Sequence, residues 1–280
     1  MTENIKKDTK SFYAYVRSRS KTKVKVGPLV DESGSTISDS KHMAEVLNNY
    51  FSSVFTREDV SKMVEAPMIF KGTDSEALNN ITIDVAVVKK KIEALRSDKA
   101  PGPDEVPPRV LRHLAEELCY PLSVILQKSI DEGVAPEDWK QANVSPIFKK
   151  GSKSQASNYR PVSLTCQLCK LGESIIREEI IGHLDKNNLI NPSQHGFGKG
   201  RSCLTNLLEF LDKVTQAVDA GDNIDVIYLD FAKAFDMVPH IRLMKKLEAH
   251  GIRHKVAKWI EAWLQNRKQR VCLDGVFSTW

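Results

Sequence analysis

Asp230 closes a run of four apolar or aromatic residues, Val226-Ile227-Tyr228-Leu229, and Phe235 and Asp236 follow five and six positions later, ahead of Pro239. A continuous apolar run of that length predicts a strand buried on both faces. Its C-terminal carboxylate would then sit at the rim of a sheet, within reach of a ligand or a metal ion. The plainer reading is that Asp230 caps the turn that follows. A second group able to do chemistry is cationic: Lys149, Lys150, Lys153 and Arg160 flank a Lys/Ser/Gly-rich stretch, Lys149 to Ser157. Arg offers a planar fork that can hold phosphate oxygens bidentately, and Lys acts as a point charge. A third is Gln194-His195-Gly196-Phe197-Gly198-Lys199-Gly200-Arg201-Ser202, whose three glycines let backbone approach a bound strand. Cys166-Gln-Leu-Cys169 has zinc-like spacing, but no second Cys or His pair lies at a matching distance, so it reads as core packing.

Most of the elements that must position these groups read as helices. Residues 39–55 show apolar positions at Met43, Val46, Leu47 and Tyr50, and residues 57–80 read as a linker. Val85, Val88, Ile92 and Leu95 predict a helix that ends before Pro101-Gly102-Pro103. Pro107 and Pro108 suit a first turn, with Val110, Leu111, Leu114 and Leu118 on one face. Leu122, Ile125, Leu126 and Ile130 predict a third helix stopped by Gly133. Residues 143–150 and 159–164 predict two strands of an antiparallel hairpin with a basic tip. A helix over 167–185 follows, with Leu168, Leu171, Ile175, Ile176, Ile180 and Leu184 as its stripe. Further helices are expected around Leu243–Leu247 and Val256–Leu264. Gln269–Leu273 then reads as a strand, Asp274-Gly275 as a hairpin turn, and Val276–Trp280 as the start of a return strand.

Five blocks stand in order: Lys99-Ala100-Pro101-Gly102-Pro103-Asp104, Val144–Gly151, Asn158-Tyr159-Arg160-Pro161-Val162-Ser163-Leu164, Gln194–Ser202 and Leu229–Asp236. Together they resemble the reverse transcriptase domain of non-LTR retrotransposons, the LINE elements of the Jockey/CR1 type. The resemblance covers residues 80–280, and more weakly residues 10–56 through Ser11–Val16 and Tyr50–Phe55. It implies an α+β right-hand polymerase, fingers plus partial palm, helix-rich with antiparallel strands. It divides the chain into a basic N-terminal arm, helix and linker (1–80), a fingers-like region (81–223) and a partial palm (224–280).

The implied chemistry is nucleotidyl transfer between two divalent ions about 4 Å apart, Mg²⁺ or Mn²⁺. Asp230 is the expected catalytic and metal-binding carboxylate, with the Phe231 carbonyl beside it. Lys149 and Arg160 are expected to meet the incoming triphosphate. Phe235 is expected to lie under its sugar, where the ring excludes a 2′-hydroxyl. Gln194, Gly196, Lys199 and Arg201 are expected along the template. Gly198 departs from the family's usual Arg and removes one phosphate-binding candidate. The partners implied are an RNA template, a DNA primer and deoxynucleoside triphosphates.

The family's next blocks, a Ser-Gly-Val-Pro-Gln-Gly-type loop and an aromatic-Ala-Asp-Asp turn with the remaining carboxylates, are not among these 280 residues. The metals are therefore expected only for a completed palm, and this chain alone is expected to be inactive. The other reading is a non-catalytic nucleic-acid-binding remnant. A phosphatase site that needs its second Asp two residues after the first is excluded, because Ala232 occupies that position.

Composition narrows the classes further. Residues 1–25 hold eight Lys/Arg against Glu3 and Asp8, a net of +6, so the remaining 255 residues sum to −1. Such an arm can follow a phosphate backbone by releasing counterions, or it can be a solvated tail. Five cysteines and no secretory signal point to a reduced, intracellular chain, in cytoplasm or nucleus. No apolar run approaches the roughly 20 residues that span a bilayer.

Overall fold

Asp-Gly at 274–275 adopts left-handed backbone at both positions, φ 51° and 84°, the geometry that lets two strands reverse without splaying. The strands it joins, β5 (Lys268–Leu273) and β6 (Val276–Phe277), pair antiparallel with Cys272 opposite Phe277. They complete a four-stranded sheet with β3 (Gln141–Phe148) and β4 (Tyr159–Leu164), in the order β4-β3-β5-β6. A smaller antiparallel pair, β1 (Leu29–Val30) and β2 (Thr36–Ile37), turns around Asp31, whose Oδ1 accepts from Ser33 N and Ser35 N at 2.9 Å. This computed structural model describes residues 26–280 other than 32, 57 and 64. The basic arm and Ser11–Val16 lie outside the described residues.

Two compact units share the chain. The first takes the described part of Met1–Tyr50 with Ser145–Val162 and Val271–Thr279; the second takes Phe51–Val144, Ser163–Arg270 and Trp280. Boundaries at 80 and 223, the expectation from the motif order, are not where these units part. Strands satisfy their backbone groups with neighbours from any part of the chain, so N-terminal and C-terminal segments end up in one unit.

α1 (Ser40–Ser53), whose residues 40–50 belong to the first unit, starts at Asp39, whose Oδ2 accepts from His42 N at 2.8 Å. Met43, Ala44 and Leu47 form its buried face. Its polar side holds the chain after β6. Lys41 Nζ donates to Phe277 O (2.7 Å), and Glu45 accepts from Thr279 N (2.8 Å) and Thr279 Oγ1 (2.9 Å).

The second unit is helical. α2 (Val85–Glu93) is capped by Asp84, and α3 (Pro108–His113) begins with a proline that has no N–H to waste. A non-helical Leu114 separates α3 from α4 (Ala115–Glu132). The face expected over Val110–Leu118 is thereby split: Leu111 is buried, while Val110 and Leu114 are exposed. Ile125, expected inward, is also exposed. Gly133 ends α4 in the left-handed conformation, as expected.

α5 (Gln167–Lys186) buries Leu171, Ile175 and Ile176, and α8 (His254–Leu264) buries Val256, Trp259 and Ile260. Between them in sequence come α6 (Cys203–Asp219) and α7 (His240–Ala249). α4 and α8 are joined by a polar chain inside the core: Trp259 Nε1 donates to Ser129 Oγ (2.8 Å), which donates to Val134 O (2.6 Å).

Residues 57–80, expected as a linker, act as a strap. Glu58 Oε2 accepts from Ile241 N (3.0 Å) at the start of α7, and Ile69 N and Phe70 N both donate to Ala249 O (2.9 Å) at its end. Leu78 then bonds Gly251 O (2.8 Å) and accepts from Arg253 N (3.1 Å). Low periodicity concealed this, because the strap is held by backbone and end-of-helix bonds rather than by an apolar face.

Candidate functional site

The basic tip predicted between two strands is present. β3 and β4 are joined by residues 149–158, closed at the base by Lys149 N donating to Asn158 O (2.8 Å). Tyr159 is buried, packs edge-on against Phe148 (centroids 5.6 Å) and donates its hydroxyl to Lys153 O (2.8 Å). Lys153 Nζ lies 5.7 Å from the Phe148 ring centre. This packing fixes the loop and leaves Lys149, Lys150 and Arg160 exposed, without an ion pair among the described residues. The cations are therefore free to meet an anion.

The strand expected at 226–229 is not formed. Residues 222–231 run without regular structure, and Leu229 is 93% exposed. A strand buried on both faces needs hydrogen-bonded neighbours and packed layers. No described strand pairs with this segment, so water takes its backbone groups. Asp230 is exposed. The turn at 232–237 is closed by Asp236 N and Met237 N donating to Lys233 O (3.0 and 3.1 Å), so Asp236 enters it through backbone.

Phe235, 80% exposed, stands at this turn and meets Phe197 of the glycine-rich block edge-on, with ring centroids 6.1 Å apart. Two segments separated by a whole helix are thus brought onto one surface. Phe197 reaches it from a left-handed backbone, φ 63°.

Within that block the candidates differ. Arg201 turns back on its own loop, donating to Pro192 O and to Gln194 O (3.4 Å), so its guanidinium shapes the loop. Gln194 Nε2 likewise donates to Gly196 O (3.0 Å). Lys199 is exposed. At Gly198, a Cβ would stand 3.2 Å from Arg201 Cδ, so the Arg201 chain occupies the space beside the departed family arginine.

His195 has a role the motif reading missed. Its Nδ1 lies 2.9 Å from Thr205 Oγ1 and its Nε2 2.7 Å from Glu209 Oε2, fastening the loop to α6. Lys213 (2.6 Å) and then His195 hold the Glu209 carboxyl below its ordinary value. α6 itself was also overlooked, although Ser202 and Thr205 cap its start and Leu204, Leu207, Leu208 and Leu211 repeat at helical spacing.

Lys149 and Arg160 belong to the first unit; Gln194, Gly196, Lys199, Arg201, Asp230, Phe231 and Phe235 belong to the second. Asp230 is a hard oxygen donor of the kind Mg²⁺ takes. Among the described residues, however, no group of three or more His, Cys, Asp or Glu side chains could hold a metal ion. The residues present do not make a two-ion site. Nor is any helix among the described residues long and apolar enough to cross a membrane.

Sequence comparison places these features in a class. Residues 147–279 match the family described as Reverse transcriptase (RNA-dependent DNA polymerase), a span that includes Arg160, the glycine-rich block and Asp230. The chain is 26% identical to the RNA-directed DNA polymerase from mobile element jockey of Drosophila melanogaster, over 99% of this chain and 31% of that protein. It is 23% identical to its counterpart in Drosophila funebris, over 100% of this chain and 31% of that one. It is also 23% identical to the probable RNA-directed DNA polymerase from transposon X-element of Drosophila melanogaster, over 97% and 30%. Residues 147–279 are therefore similar to reverse transcriptases, and the chain as a whole to those of non-LTR retrotransposons, as its motif order implied. It spans about a third of the length of these curated relatives. Reverse transcriptases generally use divalent metal ions.

Proposed function

We propose that this chain is the fingers and first part of the palm of an RNA-directed DNA polymerase of retrotransposon origin. The observation that carries the reading is the Phe197–Phe235 contact, which puts the glycine-rich block and the turn after Asp230 on one surface. That is what a template loop beside a nucleotide-sugar residue requires. In this reading Lys149 and Arg160 hold the triphosphate of a deoxynucleotide, and Gln194, Gly196, Lys199 and Arg201 lie along an RNA template. Phe235 lies under the sugar. Asp230, with the Phe231 carbonyl, contributes one carboxylate to a Mg²⁺ or Mn²⁺ set whose other members are not among the described residues.

The test uses a polymerase in which this segment is followed by the remaining carboxylate motifs of a related element. Asp230→Ala should abolish template-dependent primer extension while leaving RNA binding intact. Phe235→Val should raise ribonucleotide use relative to deoxynucleotide use, because the discrimination is steric and opposes only the added hydroxyl. If both activities fall together along with thermal stability, Phe235 is a packing residue and the assignment is wrong.

A non-catalytic nucleic-acid-binding role is the second reading. It is favoured by the exposed Lys149, Lys150 and Arg160, which have no ion pair among the described residues, and by the absence there of a three-membered metal cluster.

A further inference from the structure

The Cys166–Cys169 pair has no part in the polymerase reading, and its setting differs from that of an ordinary core thiol. Cys166 is the N-cap of α5, directly after β4 and Thr165, and Cys169 is the third residue of the helix. Strand, C-x-x-C and helix thus follow one another, with both sulfurs at the positive end of a 20-residue helix. The Cys166 backbone is extended (φ −61°, ψ 154°), which lets its side chain curl over the first turn. There Sγ accepts from Cys169 N at 3.3 Å. Cα atoms three positions apart at a helix start lie roughly 5 Å apart, within the Cα separation a disulfide spans.

The pair is asymmetric. The hydrogen bond from Cys169 holds the Cys166 thiol below its ordinary value, while the same bond and burial push Cys169 up. Cys169 Sγ has a proton acceptor, Glu173 Oε1, at 3.0 Å, besides Trp139 O at 3.5 Å.

We propose that Cys166 and Cys169 form a reversible dithiol–disulfide site, oxidised by a peroxide with Glu173 as the proton acceptor. Burial dictates the class of oxidant. Cys166 and Cys169 are 3% and 1% exposed, and Gly102 lies over the Cys166 backbone, so a bulky disulfide reagent is shut out and the oxidant must be as small as a peroxide.

The steps balance. The Cys166 thiolate attacks one peroxide oxygen; the O–O bond breaks, hydroxide leaves and takes a proton to become water, and Cys166 becomes a sulfenic acid. Glu173 then takes the Cys169 proton. The Cys169 thiolate attacks the Cys166 sulfur, the S–O bond breaks, and the second hydroxide leaves as water with that proton. Two thiols and one peroxide give one disulfide and two waters, with two electrons passing from sulfur to oxygen.

The site is read independently of the polymerase assignment. Its test is a hydrogen peroxide titration of the full folded chain, followed by thiol alkylation in denaturant and mass analysis of the tryptic peptide 154–170, which holds both cysteines. That peptide should refuse both alkyl groups and weigh two hydrogens less, and dithiothreitol should restore it. Cys169→Ser should leave Cys166 as a sulfenic or higher acid. Glu173→Gln should slow disulfide formation roughly tenfold or more while oxidation of the exposed Cys203 keeps its rate. Full alkylation of Cys166 and Cys169 after Cys203 is completely oxidised, in a chain still folded by circular dichroism, would overturn the proposal. So would a Cys166 bridge to Cys119 instead.

Discussion

Gly102 has no room for a side chain: a Cβ there would stand 2.4 Å from both N and Cα of Cys166 and 2.6 Å from Thr165 C. Backbone on the far side cannot rotate away, so relief requires moving the 99–104 turn, which Gln167 Nε2 ties to α5 through Ala100 O (3.0 Å). Gly102→Ala is therefore expected to cost about 1–3 kcal/mol, the range of overpacked cores. Urea denaturation would read it, and an unchanged midpoint would mean the turn moves freely. The same scale separates the cations of the glycine-rich block. Arg201 spends its guanidinium on Pro192 O and Gln194 O, whereas Lys199 stays exposed. Residue type announced both as phosphate ligands, but only the folded loop distinguishes a clamp from an open cation.

Among the elements, the strap over residues 57–80 departs furthest from its sequence pattern. Its anchor Phe70 is buried, 5.2 Å from the His183 ring centre, and a Cβ on Gly251 would press against it. Phe70→Ala is expected to cost about 3–5 kcal/mol, as for other buried aromatics, and to lower the melting temperature. Acid should loosen the same strap. Asp74 is held below its ordinary value by its bond from Arg253 and then by His254, and Glu76 by Thr73 N. A lowered carboxylate stabilises fully above its unfolded value and loses that contribution as pH falls through its folded one. Amide protection at Leu78 and Arg253 should therefore fall in that acidic window before global unfolding. Loss only with the whole domain would refute it.

α6 poses the opposite case, an amphipathic helix with no buried residue. Leu204, Leu207, Leu208 and Leu211 are exposed, and Tyr228 of the irregular segment lies 6.2 Å from Phe210. An apolar stripe of this extent is expected to make the isolated chain adhesive. Leu207→Gln with Leu211→Gln should reduce its self-association and dye binding without lowering the melting temperature. A lower melting temperature would show that the stripe is packed.

At the scale of the whole molecule, binding and chemistry come apart. The exposed Lys149, Lys150 and Arg160 supply charge for a phosphate backbone, while Asp230 offers a single carboxylate and the described residues hold no three-membered metal cluster. The 280-residue chain is expected to bind single-stranded RNA without extending a primer. Its log–log salt slope should drop by roughly 0.7 for each phosphate contact removed. Neutralising Lys149, Lys150 and Arg160 together should flatten the slope accordingly. Binding indifferent to salt would remove these cations from any nucleic-acid role, and template-dependent incorporation lost in Asp230→Ala would show that one carboxylate suffices.

The order of motifs, the helices over 40–53, 85–93 and 167–186 and the Asp-Gly hairpin all follow from local chemistry: periodicity, capping residues and turn geometry act within a few positions. The break at Leu114, by contrast, falls inside a helix face expected over Val110–Leu118, and only the fold reveals it and the exposure of Val110. What tertiary structure alone decided is where non-local partners lie. Residues 226–229 have the composition of a buried strand but no described strand to pair with, so they stay in water. Residues 57–80 have the composition of a linker, yet the Glu58 carboxylate at one end of α7 and the Ile69 and Phe70 backbone at the other hold the described part in place. A strand or a strap is stable only through groups supplied by a distant part of the chain, and no local pattern records whether those groups arrive.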